Sequence, residues 1–173
     1  MEKSKIDISV IRPQITECQI KPRGQAFSER RLASIRKGLL ALHTLELMAQ
    51  TIYKFQITKK PGELNRTLVA AMCNEMTHYQ DFQIKLYEYN FKPSIFRVAY
   101  WFVGFLFGYI SRLRGPKAIL KTGIWVETKA VHHYKKLLET VEWDEDTRAI
   151  IEKDQADEDG HIEKWKKLLE TDV

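Results

Sequence analysis

The chain contains 173 residues, which is enough for one domain with a buried core. A hydrophobic fraction of 44% and a charged fraction of 29% exclude a disordered chain, and abundant Leu, Ile, Lys and Glu favour an all-helical fold. The formal charge of +5 is unevenly distributed, because residues 91–121 contain six basic residues and no acidic one, whereas residues 139–173 are strongly acidic. A basic zone confined to one apolar stretch indicates an anionic membrane surface as partner rather than nucleic acid.

The elements are predicted in chain order from apolar periodicity and turn signals. Residues 1–27 show no sustained periodicity and are predicted to form an extended arm, followed by one helical bundle over residues 28–173. Ser28 is predicted to cap the first helix. Long helices are predicted at residues 31–55, 61–89, 116–140 and 144–170.

The cysteine content and the amino terminus bear on the compartment. Cys18 and Cys73 stand far apart and in no metal or redox spacing, so we expect no disulfide framework and a reducing compartment. Residues 1–5 lead into no long apolar run, so no secretory signal is predicted.

Each of the four long predicted helices has an apolar seam, a stripe of residues that recur at helical spacing and face the core. Each seam carries one glutamate. Glu46, Glu75, Glu127 and Glu158 occupy positions at which the helical period otherwise places Leu, Ile, Met or aromatic residues. A carboxylate that faces the core is costly unless protons, basic partners or a metal neutralise it. None of the seams supplies Lys or Arg, so the pattern predicts that two divalent cations balance the four carboxylates.

The spacing of these glutamates repeats between the two halves of the chain. Glu46 is followed by Glu75–His78, and Glu127 is followed by Glu158–His161, each pair reading Glu-x-x-His. This spacing puts both side chains on one helix face, one turn apart, where they can share a metal. A single pair of this kind is usually structural, whereas two pairs, each preceded by a seam glutamate, predict a two-metal centre between four helices. Carboxylate and imidazole ligands suit iron or manganese.

An apolar segment separates the second predicted helix from the next. Its uninterrupted run, residues 98–110, is thirteen residues long and too short to span a bilayer as a helix. Aromatic residues flanked by cations are typical of a helix that lies in the membrane interface. The residues predicted to contact the membrane and to open a path for a lipophilic substrate are Trp101, Phe102, Phe105, Arg97 and Arg112. A crossover packed over the bundle and a subunit interface are the alternatives.

Taken together, these residues resemble the demethoxyubiquinone hydroxylase family, membrane-associated members of the ferritin-like two-iron carboxylate proteins. The resemblance covers roughly residues 42–166. Its most specific part is Val126-Glu127 followed by His132-His133-Tyr134, and the stretch from Pro93 to Gly108 is similar to the family's hydrophobic insert.

The resemblance implies an all-α, ferritin-like four-helix bundle whose long crossover carries an interfacial hydrophobic helix. It implies two iron ions, cycling between Fe2+ and Fe3+, that activate O2 for hydroxylation of a lipophilic quinone ring in ubiquinone biosynthesis. It also implies a peripheral protein of the bacterial cytoplasmic or mitochondrial inner membrane. The resemblance does not identify the electron donor, and it allows a homo-oligomer. The implied iron ligands are Glu46, Glu75, His78, Glu127, Glu158 and His161, with His133 and Tyr134 beside the metals, positioning the quinone and assisting electron transfer.

Three departures from the family pattern keep other functions open. The run at the first ligand, residues 42–46, differs from the family's Asp-His-Ala-Gly-Glu, Thr128 replaces a second glutamate, and the chain ends twelve residues after His161. They favour, as the alternative, another di-iron oxidase or oxygenase acting on a different lipid-like substrate. An iron-storage or peroxide-scavenging protein of the rubrerythrin type and a metal-free helical scaffold at the membrane are further alternatives.

Overall fold

A computed structural model describes residues 15–171 of the chain, which form five long helices and, over that range, no strand. The predicted all-α fold is therefore confirmed. A short 3-10 turn, Glu17–Gln19, comes first. The helices are α1 (Glu29–Gln56), α2 (Glu63–Glu88), α3 (Arg97–Leu113), α4 (Pro116–Thr140) and α5 (Glu145–Glu170).

The helix boundaries follow from local sequence chemistry. Ser28 accepts a hydrogen bond from the Arg31 backbone amide, as predicted for the cap of α1, and Asp144 does the same for α5 by accepting from Thr147. Helix α4 begins with Pro116, whose missing amide hydrogen costs nothing in the first turn. Gly115 precedes it with φ of 90°, a left-handed conformation that favours glycine.

Two antiparallel hairpins, α1–α2 and α4–α5, make up the bundle, and α3 connects them. Helix α3 lies parallel to α1 and approaches it closely through Gly104 and Gly108. A Cβ atom on Gly104 would lie 2.7 Å from the Met48 carbonyl oxygen, and one on Gly108 would clash with that of Ile52. One turn further along, Gln56 donates a hydrogen bond to Ser111 Oγ at 2.8 Å. The two glycines thus let α3 approach α1 closely.

The bundle core consists of two apolar clusters with a polar layer between them. One cluster, at the end where α1 terminates, includes Ile52, Leu68, Leu120 and Trp165. The other, at the opposite end, includes nine buried residues: Ile35, Leu39, Leu42, Phe82, Leu86, Tyr89, Tyr134, Trp143 and Ile151. Every long helix except α3 contributes to both clusters, and its seam glutamate comes between them. The apolar layers thereby exclude water from both ends of the glutamate layer.

The described part of the predicted arm, residues 15–27, contacts the bundle through Arg23. The guanidinium group donates to Glu88 at 2.6 Å, to Asp144 at 2.7 Å and to Asp146 at 2.6 Å, which joins the end of α2 to the start of α5. The backbone amide of Lys21 also donates to Glu88. Residues 1–14 of the predicted arm lie outside the described residues.

Across the described residues, no helix combines the length and the apolar character that a membrane span requires. Helix α3 has 17 residues and is the most apolar of the five.

Candidate metal centre

Six side chains from four helices meet in the polar layer. Helix α1 supplies Glu46, α2 supplies Glu75 and His78, α4 supplies Glu127, and α5 supplies Glu158 and His161. All six are buried, with at most 2% of any of them exposed. The three-residue spacing on α2 and α5 turns the glutamate and the histidine of each pair toward the same point. The structure therefore brings together all six residues that the sequence pattern predicts.

The first group of potential ligands surrounds the Nδ1 atom of His78. This nitrogen lies 3.2 Å from Glu158 Oε1, 3.7 Å from Glu75 Oε2 and 3.8 Å from Glu46 Oε2. One ligand atom from each of these four residues lies within 4.8 Å of the others, close enough to hold a single metal ion.

The second group surrounds the Nδ1 atom of His161 in the same way. This nitrogen lies 3.2 Å from Glu75 Oε1, 3.4 Å from Glu158 Oε2 and 3.7 Å from Glu127 Oε1. Glu75 and Glu158 thus belong to both groups and offer one carboxylate oxygen to each. The arrangement has approximate two-fold symmetry, with Glu46 opposite Glu127.

The ligand atoms lack the hydrogen bonds that buried polar atoms normally make. The atoms without a hydrogen-bond partner are both carboxylate oxygens of Glu75 and of Glu158, Oε2 of Glu127, and Nδ1 of His78 and of His161. Leaving such atoms unpaired costs roughly 1–3 kcal/mol each. Two metal ions would satisfy them all, and the oxygen and imidazole donors suit iron or manganese. The residues present therefore fit a two-metal centre.

Proton affinities within the layer reflect the concentration of negative charge. Burial alone would lower the pKa of His161, but its contacts with the carboxylates of Glu127, Glu158 and Glu75 outweigh burial and raise that pKa to about 12. Burial likewise opposes protonation of His78, yet contacts with carboxylates raise its pKa far above the ordinary value. Burial, and then the charges of the shared carboxylates, raise the pKa of Glu46. Protons would therefore balance part of this negative charge whenever no metal is bound.

Tyrosine hydroxyls hold the two unshared glutamates. Tyr134 on α4 donates to Glu46 Oε1 at 2.7 Å, and Tyr53 on α1 donates to Glu127 Oε1. Tyr134 agrees with its implied place beside the metals, whereas the role of Tyr53 was missed. The sequence does contain a signal for this role, because each tyrosine follows the glutamate on its own helix by seven residues.

Residues on α2 and α5 contact the outer nitrogens of the histidines. Asp157 Oδ2 lies 3.3 Å and Asp154 Oδ1 lies 3.8 Å from His78 Nε2. The side-chain amide of Asn74 lies 3.1 Å from His161 Nε2. Such contacts fix the ring orientation of a metal-binding histidine. Nothing in the seam pattern distinguished Asn74 or Asp157, because neither lies on a seam.

Most of the chain matches a known protein family. Residues 34–168 match the family described as "Ubiquinone biosynthesis protein COQ7". The chain belongs to this family. The family resemblance noted from the sequence is therefore confirmed.

Relatives in this family carry hydroxylase names. "3-Demethoxyubiquinol 3-hydroxylase" of Pseudomonas putida (strain GB-1) is 29% identical over 129 residues, which cover 73% of this chain and 60% of the relative. The protein of the same name from Legionella pneumophila (strain Lens) is 28% identical, with 72% and 60% covered. "NADPH-dependent 3-demethoxyubiquinone 3-hydroxylase, mitochondrial" of Dictyostelium discoideum is 28% identical, with 69% and 58% covered. The matched part of the chain thus spans about 60% of these relatives.

His133, implied by the family resemblance, lies beside the centre but in neither ligand group. It lines a cavity of about 250 Å³ between α1 and α4, which also reaches Glu46 and Glu127. Its Nε2 atom is buried without a hydrogen-bond partner. Burial, and then the charge of Lys136, lower the pKa of His133, so the ring is neutral at pH 7.

The five residues predicted for membrane contact all lie on α3, away from the ligand groups. Trp101 and Phe102 are exposed, Phe105 is half-buried, and Arg97 and Arg112 are exposed at the two ends of the helix. Trp101 and Phe105 stack with ring centroids 5.9 Å apart. Only Gly104, Gly108 and Ser111 of this helix are buried. An apolar face of α3 is therefore exposed along its whole length.

Proposed function

We propose that the protein is a di-iron monooxygenase that hydroxylates a lipophilic quinone ring of the demethoxyubiquinone type during ubiquinone biosynthesis. The observation that carries this proposal is the buried set of four glutamates and two histidines, divided into two groups that share Glu75 and Glu158. Hydroxylase names among relatives of the same family support the reaction class.

The six ligand side chains would divide the work of holding two irons. Glu46 and His78 would bind one, Glu127 and His161 the other, and the shared Glu75 and Glu158 would set the separation of the pair. Iron bound here would activate O2, so that one oxygen atom is inserted into a C–H bond of the ring while the other leaves as water, with two electrons and two protons from an external reductant. Tyr53 and Tyr134 hold the unshared glutamates in place, and burial raises the pKa of both phenols, so they remain proton donors.

The cavity between α1 and α4 is the place proposed for the quinone ring. Its volume of about 250 Å³ suits a single substituted ring, and much of its wall is apolar, including Leu45, Met48 and Ala49. Glu46 and Glu127 line it as well, so a ring inside would lie against the centre. The neutral His133, with its unpartnered Nε2, would make a hydrogen bond to a ring oxygen and fix the position of the ring.

We propose further that the exposed face of α3 docks on an anionic membrane surface, making the protein a peripheral membrane protein. Phe107 on this face stacks on Trp125 of the cavity wall, with ring centroids 5.6 Å apart. A substrate leaving the lipid phase beside α3 would therefore reach the cavity mouth directly. The exposed free cysteines, Cys18 and Cys73, support a reducing compartment as the location.

Liposome flotation tests the docking proposal. Replacing Trp101 and Phe102 with Ser removes exposed aromatic area, so binding to vesicles containing anionic lipid is expected to fall several-fold. Tyr87→Ser, at an aromatic residue that is 61% exposed on α2, is the matched control and leaves binding unchanged. Unchanged binding of the double variant, together with a concentration-dependent dimer, would favour a subunit interface instead.

Reconstitution and turnover test the reaction. The apo-protein loaded anaerobically with Fe2+ is expected to hold about two irons per chain. With a demethoxyubiquinone, a chemical reductant and 18O2, it should yield a product that carries one labelled hydroxyl oxygen. Formation of an iron mineral without quinone turnover would favour storage, and labelling of a co-purified lipid instead of the quinone would favour another lipid-like substrate. Failure to bind metal would favour the metal-free helical scaffold at the membrane.

A further inference from the structure

A graded row of aspartates lies between α2 and α5, outside the two ligand groups. Asp157 has 45% of its side chain exposed, Asp81 has 27%, and Asp154 is fully buried. These three aspartates, the aspartate row, thus connect solvent with the outer nitrogen of His78, on the side of the bundle opposite the α1–α4 cavity.

His78 joins this row to the centre, because its two ring nitrogens face different carboxylates. Nδ1 faces Glu46, Glu75 and Glu158, whereas Nε2 faces Asp154 and Asp157. One ligand atom from each of His78, Asp154 and Asp157 lies within 4.8 Å of the other two. The outer nitrogen and the two aspartates therefore form a third group with the dimensions of a metal site.

Asp154 is the residue that indicates a ligand. Its Oδ2 atom is buried and has no hydrogen-bond partner. Its Oδ1 atom accepts a hydrogen bond from Lys153 at 3.1 Å, and the same ammonium group lies 3.6 Å from Asp81. Since 58% of the Lys153 side chain is exposed, this cation can withdraw into solvent at little cost. A buried carboxylate with one free oxygen and a displaceable counter-ion suits a divalent cation.

We propose that His78 Nε2, Asp154 and Asp157 form an outer site for a divalent cation, through which metal reaches the buried centre. Its purpose rests on the proposed function, since the inner site is the destination. Cation binding displaces one proton from the His78 ring, and the resulting neutral imidazole has one free lone pair, so His78 binds a metal through one nitrogen at a time. The outer site is therefore filled during loading, and once Nδ1 holds metal the Nε2–H group donates to Asp157.

Metal-uptake kinetics of the full-length apo-protein test this proposal. After chelator treatment, the protein is mixed with Co2+ in a stopped-flow instrument and the visible absorption of bound cobalt is followed. Asp154→Asn keeps the side-chain shape but removes the charge, so the uptake rate is expected to fall about tenfold or more, with the final metal content unchanged. Lys153→Gln removes the competing cation and is expected to increase the rate.

Asp159→Asn is the matched control, since it removes the same charge from an exposed position of α5 and should leave the rate unchanged. Uptake by Asp154→Asn at the wild-type rate, or an unchanged rate for Lys153→Gln, would overturn the outer site while leaving the inner centre intact. Faster release of bound metal to a chelator, without slower uptake, would assign the aspartates to ring positioning and also overturn it. Absence of metal binding by the wild-type protein would instead contradict the proposed function.

Discussion

The two sides of the buried centre have opposite chemistry. Toward α2 and α5 the row of aspartates is acidic and ends at His78. Toward α1 and α4 the cavity is largely apolar, and besides Glu46 and Glu127 its ionisable lining residues are Lys129, His132 and His133. An apolar ring gains nothing among buried carboxylates, and a hydrated cation is disfavoured in a largely apolar cavity. Under the two proposals, metal and organic substrate would therefore reach the centre from different sides.

The same division applies to the residues that support the ligands. Tyrosines donate to the unshared glutamates across the α1–α4 face, whereas Asp157 and Asn74 contact the histidines across the α2–α5 face. Each face thus orients one chemical type of ligand.

The largest expected effect comes from removing a side chain that belongs to both groups of potential ligands. Glu158 offers an oxygen to each metal group, so Glu158→Ala is expected to reduce bound iron from about two per chain to nearly none. Glu163→Ala, at an exposed position of the same helix, should retain full occupancy. Iron content measured by atomic emission decides between these outcomes, and full occupancy in Glu158→Ala would contradict the shared-ligand arrangement.

The next effect tests whether the α1–α4 cavity and the aspartate row serve different ligands. Ala130 lines the α1–α4 cavity, and Ala130→Phe would occupy the space proposed for the quinone ring. We expect kcat/KM for the demethoxyquinone to fall roughly 100-fold, because the ring can no longer lie against the centre. Iron content and uptake rate should not change, since the aspartate row is untouched. Thr128→Phe, at an exposed position of α4, is the control. Slower iron uptake in Ala130→Phe would show that metal also enters through the α1–α4 cavity.

A smaller effect is expected from the tyrosines. Tyr53→Phe leaves the buried Glu127 without its hydroxyl partner, and Tyr134→Phe does the same to Glu46. Loss of such a contact costs roughly 10–100-fold in metal affinity. Titration with a competing chelator should show one weakened metal in each variant and two in the double variant. Equal weakening of both metals by Tyr53→Phe would contradict the division into two groups.

The smallest effect is a dependence of stability on pH. In the folded apo-protein the pKa of His161 is raised from 6.5 to about 12, so its stabilising contribution is complete below pH 6.5 and is lost as the pH rises toward 12. Bound metal replaces this proton. The melting temperature of the apo-protein should therefore fall between pH 6.5 and 9, while that of the iron-loaded protein stays nearly constant. Parallel curves in differential scanning calorimetry would contradict this linkage.

Much of this arrangement was predictable because the seam pattern is a strong constraint. The four long helices and the six metal-binding candidates follow from helical period and from the cost of a buried carboxylate. Which glutamates belong to both groups did not follow, since Glu46 and Glu75 have the same periodic signal. Sharing depends on how the hairpins are offset along the bundle axis, and only packing fixes that offset.

The residues that support the centre were harder to predict for a related reason. Tyr53 lies on a seam among apolar residues, where a tyrosine is ordinarily core, and only its offset from Glu46 distinguishes it. Asp154 also lies on a predicted seam, but a lone aspartate carries no motif. Asn74 and Asp157 act across a helix pair, and such contacts have no sequence period.

The crossed tyrosines have a consequence for assembly. Tyr53 belongs to the α1–α2 hairpin and holds a glutamate of α4–α5, while Tyr134 does the reverse. Neither hairpin contains all the ligands and both tyrosines, so the site forms only when the two hairpins pack together. Metal bound between them would cross-link the two hairpins, which contact each other less extensively than the two helices within each hairpin do.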